Sequence, residues 1–335
     1  PSTENNIVSK NDSIYTKITG REHFECNSVV DVICKGDTFY VEMPVELMGR
    51  DFLVTNRLQK VQQELNDAGV NKGIVYQNQT LLFEVDSLLK RVTIRQQRIL
   101  PEVPAGDVIM ESVSDNYVNP ILARIKIDAV SPDKKSVVFQ INEFFNGSNT
   151  CINDLFNNIN LGTSVISNLS RIISVKSFGD NLTAAAELTT KVIEGNSSVN
   201  VTSVVSSTLT LLPEEPMMAR EESNRVGYFT ISNLKYTDKQ QSVERKHYVT
   251  RWRLEPSDKE AYMRGELVEP VKPIVFYVDK AMPKNLMPYI EKGILEWNVA
   301  FEKAGFKNAV RVAEYTDSIA AEGDDMKYSV LTHAA

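Results

Sequence analysis

A long tract of strand-like segments, residues 74–255, constrains the fold more than any other feature of the sequence. Its β-branched or alternating segments are TLLFEV, KRVTIRQQ, ILARIKIDAV, SVVFQIN, RIISVKSF, VNVTSVVSSTLTLL, VGYFTISN and HYVTRWRL. Between them lie SPDKK, FNGSN, FGDN and EGNSS, which are rich in residues that favour turns. We predict an antiparallel β domain over residues 71–255, interrupted at 153–159 (NDLFNNI) by a helical turn.

Residues 1–70 predict a smaller α+β unit that begins with a strand. Residues 38–43, TFYVEM, alternate between apolar and polar side chains. This alternation is typical of a strand with one buried face. We therefore expect Phe39, Val41 and Met43 to lie on that face.

The same unit is expected to end with a short helix. Residues 56–69, NRLQKVQQELNDAG, place Leu58, Val61 and Leu65 three and four residues apart and end at Gly69. Apolar residues at this spacing, followed by Gly, are typical of an amphipathic helix and its C-terminal end. The small unit would then end near residue 70.

A connection between domains is expected at residues 256–272. Pro256, Pro270 and Pro273 lie there among charged residues, as in an exposed linker. Residues 273–335 have a different pattern from the β-rich tract, because the apolar run IVFYVD is followed by a long amphipathic stretch and then by the alternating NAVRVAEY. This order predicts a strand, a helix and a second strand.

The expected helix has an apolar stripe that ends at Gly305 in a C-terminal cap position. The stripe consists of Leu286, Ile290, Ile294, Trp297, Phe301 and Ala304. Such a stripe faces a core in most proteins, so we expect Trp297 to be a core residue. Taken together, the chain is predicted to be α+β and mostly β.

Composition argues against two classes of partner. The 335 residues carry a net charge of −7, and the sequence contains no Lys/Arg cluster that would neutralise a phosphate backbone, so nucleic acid is not expected to bind. No apolar run reaches the roughly 18 residues that a membrane-spanning helix needs. The chain begins PSTENNIVSK, which lacks the basic and apolar regions of a signal peptide.

The residues alone predict no catalytic, cofactor or metal site. A hydrolytic zinc site most simply uses H-E-x-x-H on one helix face, but His23, His247 and His333 are far apart and none precedes Glu. His23 and His247 are expected at ordinary strand surfaces. No G-x-S-x-G, G-x-x-x-x-G-K-[ST] or post-strand G-x-G-x-x-G motif is present either.

The acidic turns and the cysteines can each be interpreted in two ways. The acidic residues of PEEP and EGDD could bind a hard cation or could simply lie in solvated turns. They are Glu214, Glu215, Glu322, Asp324 and Asp325. We favour solvated turns. Cys26 and Cys34 could form a disulfide across a short turn, although single buried thiols, as for Cys151, are the preferred interpretation.

Four stretches, in order, resemble one family. PIVFYVD and the following helix at 273–306 are similar to the opening of the catalytic domain in large bacterial zinc-dependent metallopeptidases of metzincin type, common in Bacteroidetes. FYVEMPVELMGRDFLVTNRL at 39–58 resembles the end of that family's short first domain. NPILARIKIDAVSPDKKSVVFQINEFFNGSN at 119–149 and EPMMAREESNRVGYFTI at 215–231 resemble its second domain.

The resemblance implies a role within a larger enzyme. The family's zinc motif, an extended H-E-x-x-H-x-x-G-x-x-H, has no counterpart in this sequence, so the resemblance assigns no catalytic or metal-binding residue here. It implies a truncated catalytic domain at 273–335, zinc in the parent protein but none in this chain, and a peptide or protein substrate. It also implies a periplasmic, outer-membrane-associated or secreted location. Oligomeric state is not predicted.

Two hypotheses therefore stand. In the first, the chain is the N-terminal portion of a zinc-dependent endopeptidase, and its β-rich region is an accessory or pro-domain. In the second, the β-rich region is a stand-alone binding or structural module for a protein or glycan. The first predicts that the apolar helix face within residues 273–306 has little to cover it.

Overall fold

The computed structural model describes residues 12–20, 28–97, 101–316, 319 and 325–333. The chain divides into two compact units. The first, which we call the sheet unit, consists of residues up to 216 together with 233–245. The second, the C-terminal unit, consists of residues 217–232 together with those from 246 onward.

Strands dominate the secondary structure. In chain order they are β1 Asp31–Lys35, β2 Thr38–Pro44, β3 Asp51–Lys60, β4 Val75–Asp86, β5 Arg91–Gln97, β6 Pro101–Glu102, β7 Ile121–Val130, β8 Ser136–Gln140, β9 Arg171–Ser177, β10 Asn181–Glu194, β11 Ser197–Leu211, β12 Thr230–Lys235, β13 Glu244–Val249, β14 Ile274–Val278, β15 Val310–Glu314 and β16 Ser329–Leu331. The helices are α1 at 12–19, α2 Gln63–Asp67, α3 Ile109–Asn116, α4 Asn142–Phe145, α5 Leu155–Asn158, α6 Lys259–Met263, α7 Met287–Leu295 and α8 Asn298–Lys303.

Ten strands form one sheet in the order β1-β2-β8-β7-β5-β4-β3-β11-β10-β9. All neighbouring strands run antiparallel, so the predicted antiparallel, β-rich character of the middle of the chain is confirmed. The bounds differ from those predicted, because the sheet also includes β1, β2 and β3 and leaves out β12 and β13. The two outer strands approach each other, because the amide of Val29 before β1 donates to the carbonyl of Phe178 after β9 at 2.8 Å. The sheet is therefore nearly closed into a barrel. A smaller sheet has the order β13-β12-β6.

Apolar side chains fill the inner face of the large sheet. Phe39, Val41 and Met43 are buried there, as their alternation in β2 predicts. Phe52 and Phe83, from β3 and β4, meet edge to face with ring centroids 5.2 Å apart. Aromatic pairs in this geometry add to the stabilisation that burial alone provides.

The expected separate unit at residues 1–70 is absent from the described fold, because β1, β2 and β3 are strands of the same sheet. The helix expected at 56–69 also differs from the structure. Leu58 lies in β3 and points inward, while α2 contains only Leu65 of the expected apolar stripe. Pairing of β3 with β4 and β11 outweighed the helical spacing, since local propensity yields to tertiary hydrogen bonding. The helical turn expected at 153–159 is confirmed as α5.

A chain of buried polar groups ties the loop before α5 to the sheet. The Tyr76 hydroxyl donates to Asn153 Oδ1 at 2.8 Å, and Asn153 Nδ2 donates to Ser207 Oγ at 3.3 Å. Ser207 donates to Asn56 Oδ1 at 2.6 Å, and Asn56 Nδ2 to the carbonyl of Ile152 at 2.9 Å. Burial raises the pKa of Tyr76, so its hydroxyl stays protonated and remains a donor.

The C-terminal unit contains a small parallel sheet in the order β15-β14-β16. β14 pairs with β15 from Ile274↔Val310 to Val278↔Glu314, and α7 and α8 connect these two strands. The strand-helix-strand order predicted from residue 273 onward is confirmed.

Residues 256–272 are not an exposed connection. Ala261 in α6 and Val268 are buried, and they pack with Phe306 and Ala309 to form a core cluster of the C-terminal unit. The prolines mark turns, but the apolar residues between them contribute to this core. The segment is therefore part of the C-terminal unit.

Candidate interaction surface on the C-terminal helices

The helices α7 and α8 contact the rest of the C-terminal unit along one narrow row. Ile290, Ile294, Asn298 and Phe301 are half-buried in this row, at the spacing of one helix face. Neither helix contains a buried residue. The two helices therefore contact the sheet on one side only and remain exposed on the other sides.

The expected core position of Trp297 is wrong for this structure. Its side chain is 61% exposed. The helix predicted as one element is divided into α7 and α8 at Glu296 and Trp297, and the buried row continues through Asn298 instead. Trp297 lies about 100° around the helix from Asn298, which turns the indole away from the sheet.

Large apolar side chains are exposed on these helices outside the half-buried row, interspersed with exposed charged residues such as Lys292, Glu296 and Lys303. We call the apolar group the helix surface; its members are Leu286, Tyr289, Leu295, Trp297 and Val299. Single exposed apolar residues are ordinary, whereas five large ones on or beside two consecutive short helices are a feature that contacts with another polypeptide commonly use. The helix surface is therefore the candidate functional region of this unit.

The side chain of Asn298 fixes these helices to strand β15. Its Nδ2 donates to the carbonyl of Val310, and its Oδ1 accepts from the amide of Val310, both at 2.9 Å. One side chain thereby pairs with both polar groups of one backbone residue. The sequence gives no sign of this role beyond the presence of an Asn within an apolar stripe.

A close approach at the end of α8 requires glycine. Gly305 has φ +94°, and a Cβ atom there would lie 2.5 Å from Tyr262 Cε2. The Tyr262 ring lies 5.2 Å from that of Phe306, centroid to centroid, and its hydroxyl donates to the carbonyl of Ala304 at 3.0 Å. The sequence predicts the helix end at Gly305 but gives no sign of the Tyr262 contact.

The two described histidines are both on the surface. His247 is exposed in β13 and His333 is exposed near the C-terminal end, while His23 lies outside the described residues. Within the described ranges, no group of three or more His, Cys, Asp or Glu side chains is arranged to hold a metal ion.

The acidic turns have separate structural roles. Glu214 forms an exposed ion pair with Arg50 at 2.7 Å. Asp325, expected in a solvated turn, is instead buried, and its carboxylate lies 2.9 Å from Lys327 Nζ. Glu322 and Asp324 lie outside the described residues.

The two described cysteines are on the surface. Cys34 and Cys151 are exposed and free, which differs from the buried thiols expected. Cys26 lies outside the described residues, so the structure does not address its pairing with Cys34. No helix among the described residues is long and apolar enough to cross a membrane.

A cavity inside the large sheet is entirely apolar. It is lined by Val30, Val41, Met43, Phe83, Phe139, Ile141, Phe144, Phe145, Leu182 and Leu209. Because these walls carry no acid, base or nucleophile, the cavity offers no catalytic group.

Comparisons with known proteins support the β-rich part of the chain as a family domain. Residues 29–61 match the family model described as Domain of unknown function (DUF5118). A second family model matches residues 73–257 and is described below. The two models cover different strands of one sheet, because β3 in the first match pairs directly with β4 in the second. A search of curated proteins and a search of solved structures both found no match. The model described as Domain of unknown function (DUF5117) matches residues 73–257, more than half of the chain, and the protein therefore belongs to the DUF5117 family.

Proposed function

We propose that this chain is the N-terminal portion of a secreted or periplasmic zinc-dependent endopeptidase. In this proposal the sheet unit is an accessory or pro-domain that assists folding, substrate recruitment or latency. The elements β14, α7, α8 and β15 begin the catalytic domain. The element order supports this, together with the resemblance of residues 273–306 to the opening of a metzincin-type catalytic domain.

The exposed helix surface is the observation that carries the proposal. A helix beside a parallel sheet normally buries its apolar face, yet Tyr289, Trp297 and Val299 are each more than half exposed. Burying such side chains stabilises a protein by about 1.5–3 kcal/mol each. Further polypeptide of the same catalytic domain would supply that cover.

Zinc in the proposed enzyme is not assigned to residues of this chain. The described residues provide no set of three ligands, and a catalytic zinc site needs three protein ligands and an open position. Peptide or protein substrate would be bound and cleaved with residues other than those described.

Peptidase assays test the proposal directly. The longer polypeptide encoded by the gene is compared with the 335-residue chain on an unfolded protein substrate, with and without a zinc chelator. We expect chelator-sensitive cleavage by the longer polypeptide and none by the shorter chain. The proposal would be contradicted if the gene encodes nothing beyond these 335 residues. It would also be contradicted if the longer polypeptide shows no metal-dependent cleavage.

Tryptophan fluorescence tests the cover of the helix surface separately. The 335 residues contain only Trp252 and Trp297, so Trp297 is the single reporter once Trp252 and any tryptophan of the added polypeptide are changed to phenylalanine. Trp297 emission should shift to shorter wavelength in the longer polypeptide, because the indole leaves water. The same emission in both lengths would show that nothing covers Trp297.

The second hypothesis, a stand-alone binding or structural module for a protein or glycan, has one observation in its favour. The sheet unit has its own extensive core, so it does not need a catalytic domain for its stability. This hypothesis predicts no metal-dependent cleavage at any length and an unchanged Trp297 emission. The two experiments above therefore separate the hypotheses.

A further inference from the structure

The hairpin of β10 and β11 extends beyond both of its neighbouring strands. β9 pairs with β10 only as far as Glu187, and β3 pairs with β11 only from Val204 onward. The hairpin itself continues to Glu194↔Ser197. We call residues 188–203 the arm. Each strand of the arm therefore has one edge that no other strand of the sheet pairs with.

The outer edge of β10 in the arm is protected. At its base, the amide of Thr189 donates to Ser170 Oγ at 2.9 Å, and the carbonyl of Thr189 accepts from the amide of Ile166 at 2.8 Å. Further along the strand, Lys191 is exposed. A lysine on an edge strand is one of the features by which proteins prevent pairing with another chain.

The outer edge of β11 in the arm has no such protection. Residues 197–203 read SSVNVTS, without a charge, a proline or a glycine. Within the described part of the chain, their backbone makes no hydrogen bond on the side away from β10. Residues 197–200 are exposed, and Val199 is 45% exposed. An uncharged free edge of this kind is a template for a further strand.

The sequence of this free edge is complementary to itself. Two identical strands can pair antiparallel about a two-fold axis, and an axis through Asn200 pairs the whole of the free edge. This register places Val199 opposite Val201 of the second copy, and Ser198 opposite Thr202. Apolar then meets apolar and hydroxyl meets hydroxyl, which are favourable cross-strand pairs. An axis one residue away in either direction would place a valine opposite a serine.

The same register extends an apolar face of the arm. Val192 lies directly opposite Val199 within the hairpin. Directly opposite residues on neighbouring strands project from the same face of a sheet. Val201 of the second copy would therefore join Val192 and Val199 in one row, and Val199 would gain an apolar neighbour on its open side.

We propose that the outer edge of β11 is a dimerisation surface, on which a second copy of this chain pairs antiparallel with residues 197–203. The occupant is a second copy because the edge matches itself over its whole free length. Pairing of one short strand per chain buries less area than a standard protein interface, so we expect a dissociation constant in the micromolar range. This inference does not depend on the proposed peptidase function.

Sedimentation of the complete chain over a range of concentrations tests the dimer. We expect monomer at low concentration and dimer at high concentration. Ser198→Lys with Thr202→Lys places like charges directly opposite each other twice in the dimer, and should raise the dissociation constant by about tenfold or more. A chain that stays monomeric at all concentrations, or a double-lysine variant that dimerises as the unchanged chain does, would overturn the proposal.

A charge-swapped variant is the matched control. Ser198→Lys with Thr202→Glu places opposite charges at the same two places, and should leave the dimer at least as stable as in the unchanged chain. Both variants lose the contact between the hydroxyls of Thr189 and Thr202, 2.9 Å apart, so this loss does not distinguish them. Equal weakening in both variants would contradict the register.

A cysteine cross-link tests the position of the two-fold axis. In a chain whose three cysteines are replaced by serine, Asn200→Cys places a thiol opposite the same residue of the second copy. The Cα atoms of such a pair lie about 4.5–5.5 Å apart, which a disulfide can span. Lys191→Cys is the control, because Lys191 lies directly opposite Asn200 in the hairpin but on the protected edge strand.

Mild oxidation should give a disulfide-linked dimer of Asn200→Cys and none of Lys191→Cys. Equal cross-linking at both positions, or none at either, would overturn the proposed pairing. Binding of an unfolded polypeptide to this edge without self-association of the chain would overturn it as well, since the occupant would then be an unrelated strand.

Discussion

The sheet unit and the C-terminal unit differ most in how their apolar side chains are covered. In the sheet unit, Phe52 and Phe139 are at most 1% exposed inside a nearly closed sheet. In the C-terminal unit, α7 and α8 contain no buried residue, and Trp297 is 61% exposed. Both units have regular secondary structure, so the difference lies in packing and not in local folding.

This difference follows from how each unit closes. A strongly curled antiparallel sheet provides the inner cover for each of its own strands, because the opposite wall of the near-barrel faces it. A parallel sheet needs helices on its faces, and those helices need contacts of their own. In the described part of the C-terminal unit, α7 and α8 contact the parallel sheet, but no further layer covers the helices themselves. Its stability should therefore depend on a few specific contacts.

The largest expected effect separates the two units. Phe83→Ala removes a buried ring that contacts Phe52, and should lower the free energy of unfolding by about 3–5 kcal/mol. Trp297→Ala removes a larger ring but an exposed one, and should cost about 0.5 kcal/mol or less. Urea unfolding of both variants measures this. Equal losses would show that Trp297 is covered in the isolated chain.

A second prediction concerns a contact on which the C-terminal unit depends. Gly305→Ala places a Cβ atom in a left-handed conformation and against Tyr262, and should destabilise this unit by roughly 2–4 kcal/mol. Gly293→Ala is the control, since Gly293 lies in α7 with open space around it. That change should stabilise the helix by up to about 1 kcal/mol. Amide exchange in β14 and β15 reports both effects; opposite signs are expected, and a neutral Gly305→Ala would contradict the packing argument.

The anchoring of the helices gives a smaller effect. Asn298→Ala removes both hydrogen bonds to Val310 and should cost about 1–3 kcal/mol, because the backbone groups of Val310 lose their partners. Val299→Ala, at the neighbouring exposed position, should change stability by about 0.5 kcal/mol or less. Amide exchange of α7 and α8 would measure the difference. Similar protection in both variants would mean that Asn298 does not hold the helices.

The sequence predicted what depends on local pattern. Alternation in β2 placed Phe39, Val41 and Met43 on the buried face, and the strand-helix-strand order after residue 273 is present. Leu58 was misassigned because its spacing to Leu65 fits a helix, while its real partners are distant strands β4 and β11. Pairing between segments far apart in sequence leaves no local signal.

The candidate interaction surface was predicted only in outline. Apolar periodicity identified the helix face but put Trp297 in the core, because periodicity shows which residues share a face and not whether anything covers it. Because the helix breaks between α7 and α8, Asn298 and not Trp297 continues the half-buried row. A polar anchor of this kind depends on where the β15 backbone lies, which the helix sequence does not contain.

The smallest expected effect is a pH dependence confined to the C-terminal unit. A hydrogen bond from Asn308 Nδ2 to Glu269 Oε1 at 2.9 Å lowers the pKa of Glu269, and Arg311 Nη2, 3.0 Å from Glu269 Oε2, adds to this. Because the folded pKa lies below the unfolded value of about 4.3, the stabilisation is present above that pH and is lost as pH falls through the folded pKa. Glu269→Gln should therefore lower the unfolding temperature slightly near neutral pH and not in acid.

Asn308→Gly, which also relieves the φ of +52° at Asn308, should remove most of the same pH dependence, and the double variant should add little. The unfolding temperatures of Glu269→Gln and the unchanged chain are compared from about pH 7 down to about pH 2, well below the ordinary carboxylate pKa. If their difference is the same over this range, the Glu269 contacts do not depend on its charge and do not make the C-terminal unit sensitive to acid.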